Sequence, residues 1–127
     1  MPSTAQPSGP CLVTGATGLV GNNVARLLVE RGVPVRVLVR AGGPRTDRSL
    51  DGVPVERAPG GLEDDSVLAR AMDGAASVIH AAALVHIGWG RLDEMRRVNV
   101  AGTRRAAAAT RRAGARLVHV SSIDAIG

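Results

Sequence analysis

Three glycines recur at every third position in Gly15-Ala16-Thr17-Gly18-Leu19-Val20-Gly21, directly after the apolar run Cys11-Leu12-Val13-Thr14. A short strand that breaks into a glycine-rich turn and then a helix is the arrangement that holds the diphosphate of a dinucleotide. Gly15 would let the chain turn sharply off the strand, and Gly18 would let the backbone approach the diphosphate with no Cβ in the way. Gly21 would let the helix pack on the sheet. The phosphates would then lie at the helix N-terminus, where free N–H groups and the positive end of the dipole attract anions. The spacing alone is a weak signal, and its context of apolar strand, amphipathic helix and second strand is what raises it.

Other residues carry potential chemistry. Arg40 ends the β-branched run Val33-Pro34-Val35-Arg36-Val37-Leu38-Val39. An acidic residue there would bond the adenosine ribose hydroxyls, whereas a basic one accommodates a 2′-phosphate, so Arg40 points to NADP, with NAD as the alternative. Arg45 and Arg48 follow in a Gly- and Pro-containing loop and read as surface residues. Ala81, Ala82 and Ala83 leave room for a ligand at the end of a strand, and Asn99 sits among apolar helix positions. A polar group on a buried face needs a partner, so Asn99 either braces a neighbouring backbone or orders a water in the site. His86 is a lone histidine in a loop and reads as structural. Cys11 reads as a small buried residue, and a single cysteine forms no internal disulfide, which fits a reducing cytoplasm.

The elements that must position these groups alternate. Val20, Val24, Leu27 and Leu28 mark a helix from Leu19 to Arg31, closed by Gly32. The strand at 33–39 is bounded by Ala41-Gly42-Gly43-Pro44, and Val53-Pro54-Val55-Glu56-Arg57 is a third strand that Pro54 consigns to an edge. Glu63-Asp64-Asp65 supplies the cap of a short helix that ends at Asp73-Gly74. Residues 75–80 form a fourth strand, 84–90 a loop with Trp89, and 92–113 one long helix with Leu92, Met95, Asn99, Gly102, Ala106, Ala109 and Ala113 on one face. Arg116-Leu117-Val118-His119-Val120 is a fifth strand, with Ser121-Ser122 at its end. The alternation gives an α/β fold, a Rossmann-type parallel sheet of order 3-2-1-4-5.

Composition bounds the function. The 127 residues suit one domain, with residues 1–10 as an uncharged flexible leader lacking a signal-peptide core and 11–127 as the domain. Packing falls to Val, Leu, Ile and Ala, because Phe and Tyr are absent and Trp occurs once. The net charge of +5 suggests nucleic acid, but Arg97, Arg104 and Arg111 recur every seven residues beside Arg105 and Arg112, the pattern of one solvated helix face. No nucleic-acid motif, metal spacing or membrane-length apolar run is apparent.

Five motifs strongly resemble the extended short-chain dehydrogenase/reductase superfamily, which includes NAD-dependent epimerase/dehydratases, dihydroflavonol reductases and 3-beta-hydroxysteroid dehydrogenases. They are Thr14 to Gly21, Val35 to Arg40, Val78-Ile79-His80-Ala81-Ala82-Ala83, Val98-Asn99-Val100-Ala101-Gly102-Thr103, and Val120 to Gly127. The resemblance implies that Gly15, Ala16, Thr17, Gly18, Leu19, Val20, Gly21, Arg40, Leu62, Ala81, Ala82 and Ala83 hold the cofactor. It implies Asn99 and Ser122 as the catalytic candidates, with Ser122 bonding the substrate oxygen and Ser121 less favoured. Two departures stand out. Gly61 occupies the place of an aspartate near the adenine. The family's Tyr-x-x-x-Lys acid/base pair is missing, since the chain contains neither Tyr nor Lys.

The expectation is therefore the N-terminal NAD(P)-binding portion of an oxidoreductase or epimerase/dehydratase, cut after the fifth strand and not catalytic alone. Its substrate would be a small hydroxyl or ketone compound such as a nucleotide sugar or sterol. The uncovered fifth strand would favour aggregation or a homodimer. The rival reading is a non-catalytic dinucleotide-binding module acting as a regulator or redox sensor, and a basic nucleic-acid binder is weaker still.

Overall fold

The computed structural model describes residues 8–40 and 48–126. The expected leader lies outside them up to residue 7, as do the 41–44 strand boundary, Arg45 and Gly127. Of the leader's described end, Pro10 accepts a hydrogen bond from Ala76 N–H at 3.0 Å.

Five strands form one sheet: β1 (Cys11–Thr14), β2 (Val35–Val39), β3 (Glu56–Pro59), β4 (Ser77–His80) and β5 (Arg116–His119). The order is β3-β2-β1-β4-β5 and every pair is parallel, as the sequence pattern predicts. Helices α1 (Leu19–Glu30), α2 (Asp65–Met72), α3 (Leu92–Met95) and α4 (Gly102–Arg112) provide the crossovers. Parallel strands covered on both faces need apolar side chains on both, and central β1 is buried throughout. Alternation then sorts the core. Cys11, Val13, Val35 and Val37 pack on one face with Ala25 of α1, while Leu12, Leu38 and Val78 pack on the other with Leu68, Met72, Ala106 and Ala109 of α2 and α4. Burial raises the Cys11 thiol pKa.

Three expectations need correction. The third strand is Glu56–Pro59 and not 53–57, although it does lie on the edge. Val55 N–H folds back onto Val53 C=O at 2.9 Å, so this stretch turns before pairing, and the ladder with β2 begins at Arg36↔Glu56. Arg36 fixes that register by pairing with Glu56 at 3.0 Å and donating to the carbonyls of Ala71 and Asp73.

The long helix over 92–113 is also not uniform. Residues Arg96–Ala101 form a π turn between α3 and α4, with Gly102 N–H bonded to Arg97 C=O five residues back. Its buried face is Gly102, Ala106, Ala109 and Thr110, whereas Leu92 and Ala113 are exposed. Thr110 is tolerated inside because its hydroxyl donates to Ala106 C=O at 2.7 Å. The arginines at 97, 104, 105, 111 and 112 are all exposed. Finally, β4 starts at Ser77, with Ala75 entering the core just before it. Val118 of β5 is half exposed, and Ile123 and Ile126 beyond it are more than four-fifths exposed. No helix among the described residues is long and apolar enough to cross a membrane.

Candidate functional site

A parallel sheet sends every strand's C-terminus to the same edge, and there a cavity of about 400 Å³ opens where β1 separates β2 from β4. Its lining includes Thr14, Gly15, Thr17 and Gly18 from the turn after β1, Leu38 to Arg40 from β2, Gly60 to Leu62 after β3, and Ala81 to Leu84 after β4. Arg91, Glu94 and Val98 close it from the α3 side.

The glycine turn is built as its spacing demands. Gly15 has φ +72°, a conformation that excludes most side chains, and any Cβ there would strike the Ala81–Ala82 backbone at 2.7 Å. A Cβ on Gly21 would run into the backbone of Gly15 and Ala16, so α1 meets the turn at its closest approach. Gly18 differs: a Cβ would find only Gly15 O, at 3.3 Å, and otherwise open space. The turn is therefore not filled by protein. Gly18 is the N-cap of α1 without any side-chain cap, and no acidic residue lies in the first turn, which leaves a helix N-terminus suited to an anion. Asn22, which sequence reading passed over, pins the turn by donating to Ala16 C=O at 3.1 Å and to Ser49 C=O at 2.9 Å.

The remaining expected site residues fall in different places. Ala16 is buried in the α1-side core, so only its backbone faces the turn. Leu19 is exposed, Val20 half exposed, and neither lines the cavity. Arg40 is exposed at the cavity edge. Leu62 is buried under Gly102, where a Cβ would meet its Cδ1 at 3.1 Å. The space that a side chain at 61 would fill is taken by the Glu63 carboxylate.

Of the two alternatives for Asn99, the structure takes the first: Asn99 braces a backbone. Its Oδ1 accepts from Leu84 N–H and its Nδ2 donates to Leu84 C=O, both at 2.8 Å. This two-point clamp fixes the root of the 84–90 loop to the π turn, while Val85, Ile87 and Trp89 beyond it stay exposed. Ser122 is exposed past β5, where its Oγ accepts from Asp124 N–H at 3.2 Å and caps a short turn; it is not among the cavity's lining residues.

Sequence reading also missed two polar groupings. Arg91 and Glu94 form a bidentate pair at 2.7 Å on the cavity rim, and that contact holds the Glu94 carboxyl below its usual range and raises the Arg91 guanidinium. Below the cavity, buried His80 bonds Thr14 Oγ1 through Nδ1 at 2.7 Å and Thr103 Oγ1 through Nε2 at 3.0 Å. Burial, reinforced by neighbouring His119, pushes the His80 pKa down to about 4. Among the described residues no cluster of His, Cys, Asp or Glu could hold a metal ion.

The NAD dependent epimerase/dehydratase family model matches residues 11–127. The chain belongs to this family. It is 44% identical over 117 residues to sterol demethylase protein B of Methylococcus capsulatus, covering 91% of this chain and 35% of that protein. Its fold superposes on the crystal structure of gox2253 with a TM-score of 0.81 at 40% identity, covering 93% of this chain and 36% of the other. It also superposes on MoeE5 in complex with UDP-glucose and NAD, with a TM-score of 0.77 at 30% identity and coverages of 94% and 38%. The chain thus spans about a third of the length of the relatives it matches.

Proposed function

We propose that this epimerase/dehydratase-family chain is the cofactor-binding portion of an enzyme that moves hydride between NADP(H) and a hydroxyl- or ketone-bearing carbon. The observation that carries this reading is the unfilled glycine turn at the sheet edge, capped by a helix N-terminus without acidic residues. The residues fit a dinucleotide. The Gly15–Gly18 backbone and the α1 N-terminus would hold the diphosphate, Ala81 to Ala83 leave room on the β4 side, and Leu62 and Val98 offer apolar surface toward β3 and the helix. Bound there, the nicotinamide would supply the hydride acceptor or donor.

This chain's own residues have supporting roles. Arg40 would bond a 2′-phosphate by a charge-assisted contact, which argues for NADP over NAD. Asn99 positions the 84–90 loop by clamping Leu84. Ser122 would bond the substrate oxygen after exchanging its cap on Asp124 for that contact. Proton transfer to that oxygen needs an acid/base pair, and the 127 residues hold no tyrosine or lysine to provide it. A relative named for sterol demethylation supports an apolar substrate, and the neighbour in complex with UDP-glucose supports a nucleotide sugar. A dinucleotide-sensing module is the less supported reading, because the relative and the neighbour complex bear enzyme names and ligands.

The test is calorimetric titration with NADPH and NADH. A charge-assisted hydrogen bond contributes about 1.5–3 kcal/mol, so NADPH should bind at least about tenfold tighter and Arg40→Asp should reverse the order. Equal affinities in the unmutated protein would remove the case for Arg40, and no binding of either would remove the proposal.

A further inference from the structure

We infer that His80 is a positioning residue for the dinucleotide site, acting through Thr14 to hold the Ala81–Ala82 backbone against the glycine turn. The inference rests on the proposed function only in naming what the cleft receives. Thr14 grips the start of the β4 exit twice: its C=O accepts from Ala81 N–H at 3.2 Å and its Oγ1 accepts from Ala82 N–H at 3.2 Å. That grip sets the gap between Gly15 and Ala81–Ala82, already so narrow that no Cβ fits. Thr14 and His80 are both buried, so water does not compete for these groups.

Hydrogen-bond bookkeeping fixes the direction of the chain. The Thr14 hydroxyl accepts from Ala82 and has one hydrogen to give. The acceptor in reach is His80 Nδ1, 2.7 Å away. His80 must then carry its proton on Nε2 and donate to Thr103 Oγ1 at 3.0 Å on α4. The opposite tautomer would make Thr14 accept twice and strand its hydrogen in a buried site, which is costly. His119 stacks on the His80 ring, with centroids 5.5 Å apart and planes inclined by 21°. The result is a one-way relay, Ala82 to Thr14 to His80 to Thr103, that couples the cleft floor to α4.

The relay predicts an asymmetry between side chains of different reach. Asparagine retains an acceptor near the Nδ1 position and loses Thr103, whereas glutamine reaches toward Thr103 and loses Thr14. His80→Asn should keep NADPH affinity within about threefold, while His80→Gln and His80→Leu should weaken it about tenfold, the worth of one lost hydrogen bond. Thr103→Val should lower the melting temperature yet leave affinity within about threefold, because it cuts the relay beyond Thr14. Equal weakening in the Asn and Gln variants, or affinity that tracks melting temperature across the set, overturns the inference. Nitrogen-15 spectra of the unmutated protein provide a readout that requires neither folding of a variant nor any dinucleotide. They should show the Nε2–H tautomer at neutral pH and a slowly exchanging Ala82 amide. The Nδ1–H tautomer overturns the inference while leaving the dinucleotide assignment untouched.

Discussion

Acidification should unfold this protein earlier than its carboxylates alone would dictate. His80 titrates near 6.5 in an unfolded chain and at about 4 in the folded one, because the charged ring loses solvation on burial and His119 opposes a second positive charge. The elements around it contribute neutral Thr14 and Thr103 from β1 and α4, with His119 from β5. Between those two pH values the unfolded state binds more protons than the native state. Stability is therefore complete above about pH 6.5 and drains away as pH falls toward about 4. A shift of about 2.5 units corresponds to about 3 kcal/mol in full, most of it gone by pH 4.5. That is a large share of the 5–15 kcal/mol that holds a typical domain together. The assay is urea denaturation followed by circular dichroism at pH 7, 5.5 and 4.5, for the unmutated protein and for His80→Asn. The variant cannot charge at that position, so its stability should fall less steeply, and the gap between the two should narrow by about 2.5 kcal/mol between pH 7 and pH 4.5. Contributions from the carboxylates appear in both and cancel. Parallel loss of stability in both proteins through this window would refute the reasoning.

Other predictions follow from the same geometry. Gly18→Ala should weaken dinucleotide binding with little change in melting temperature, because the added Cβ meets only Gly15 O, at 3.3 Å, whereas Gly21→Ala should also cost about 1–3 kcal/mol of stability by forcing backbone apart. Differential scanning fluorimetry alongside calorimetry separates the two, and equal destabilisation would contradict the geometry. Asn99→Ala strands the N–H and C=O of Leu84 and should destabilise by about 1–3 kcal/mol in urea titrations, with faster amide exchange at Leu84. The isolated 127-residue chain should self-associate through the half-exposed Val118 and the exposed Ile123 and Ile126, so light scattering that shows a monodisperse monomer would count against it.

The sheet order was legible because the strands that build it announce themselves: Cys11–Thr14 and Val35–Val39 are apolar runs between glycines, and each alternates with an amphipathic helix. The edge strand was placed three residues early because Glu56-Arg57-Ala58-Pro59 has no apolar alternation to read. Its register comes from Arg36 on the neighbouring strand. The π turn at Arg96–Ala101 escaped because its apolar residues still fall at spacings compatible with an ordinary helix. What periodicity cannot express is the one extra residue in the hydrogen-bonded ring of the turn that carries Asn99.

The same division explains which parts of the site were readable. Gly15, Arg40 and Ala81 each sit where a strand ends, and a parallel sheet delivers all strand ends to one edge, so finding the strands was enough to gather them. The Thr14–His80–Thr103 relay joins residues 66 and 23 positions apart through side chains alone, and no local pattern marks it. His80 looked like one more strand residue because its alternation places it inside. A buried imidazole is stable only when both ring nitrogens are satisfied, and the two threonines that satisfy it lie on the elements that frame the cleft. The cleft floor is thus held in part by His80, which lies outside the cavity lining, so changes at His80 that break its bond to Thr14 are the sensitive test of whether the fold itself sets the shape of the site, whereas Thr103→Val should cost stability alone.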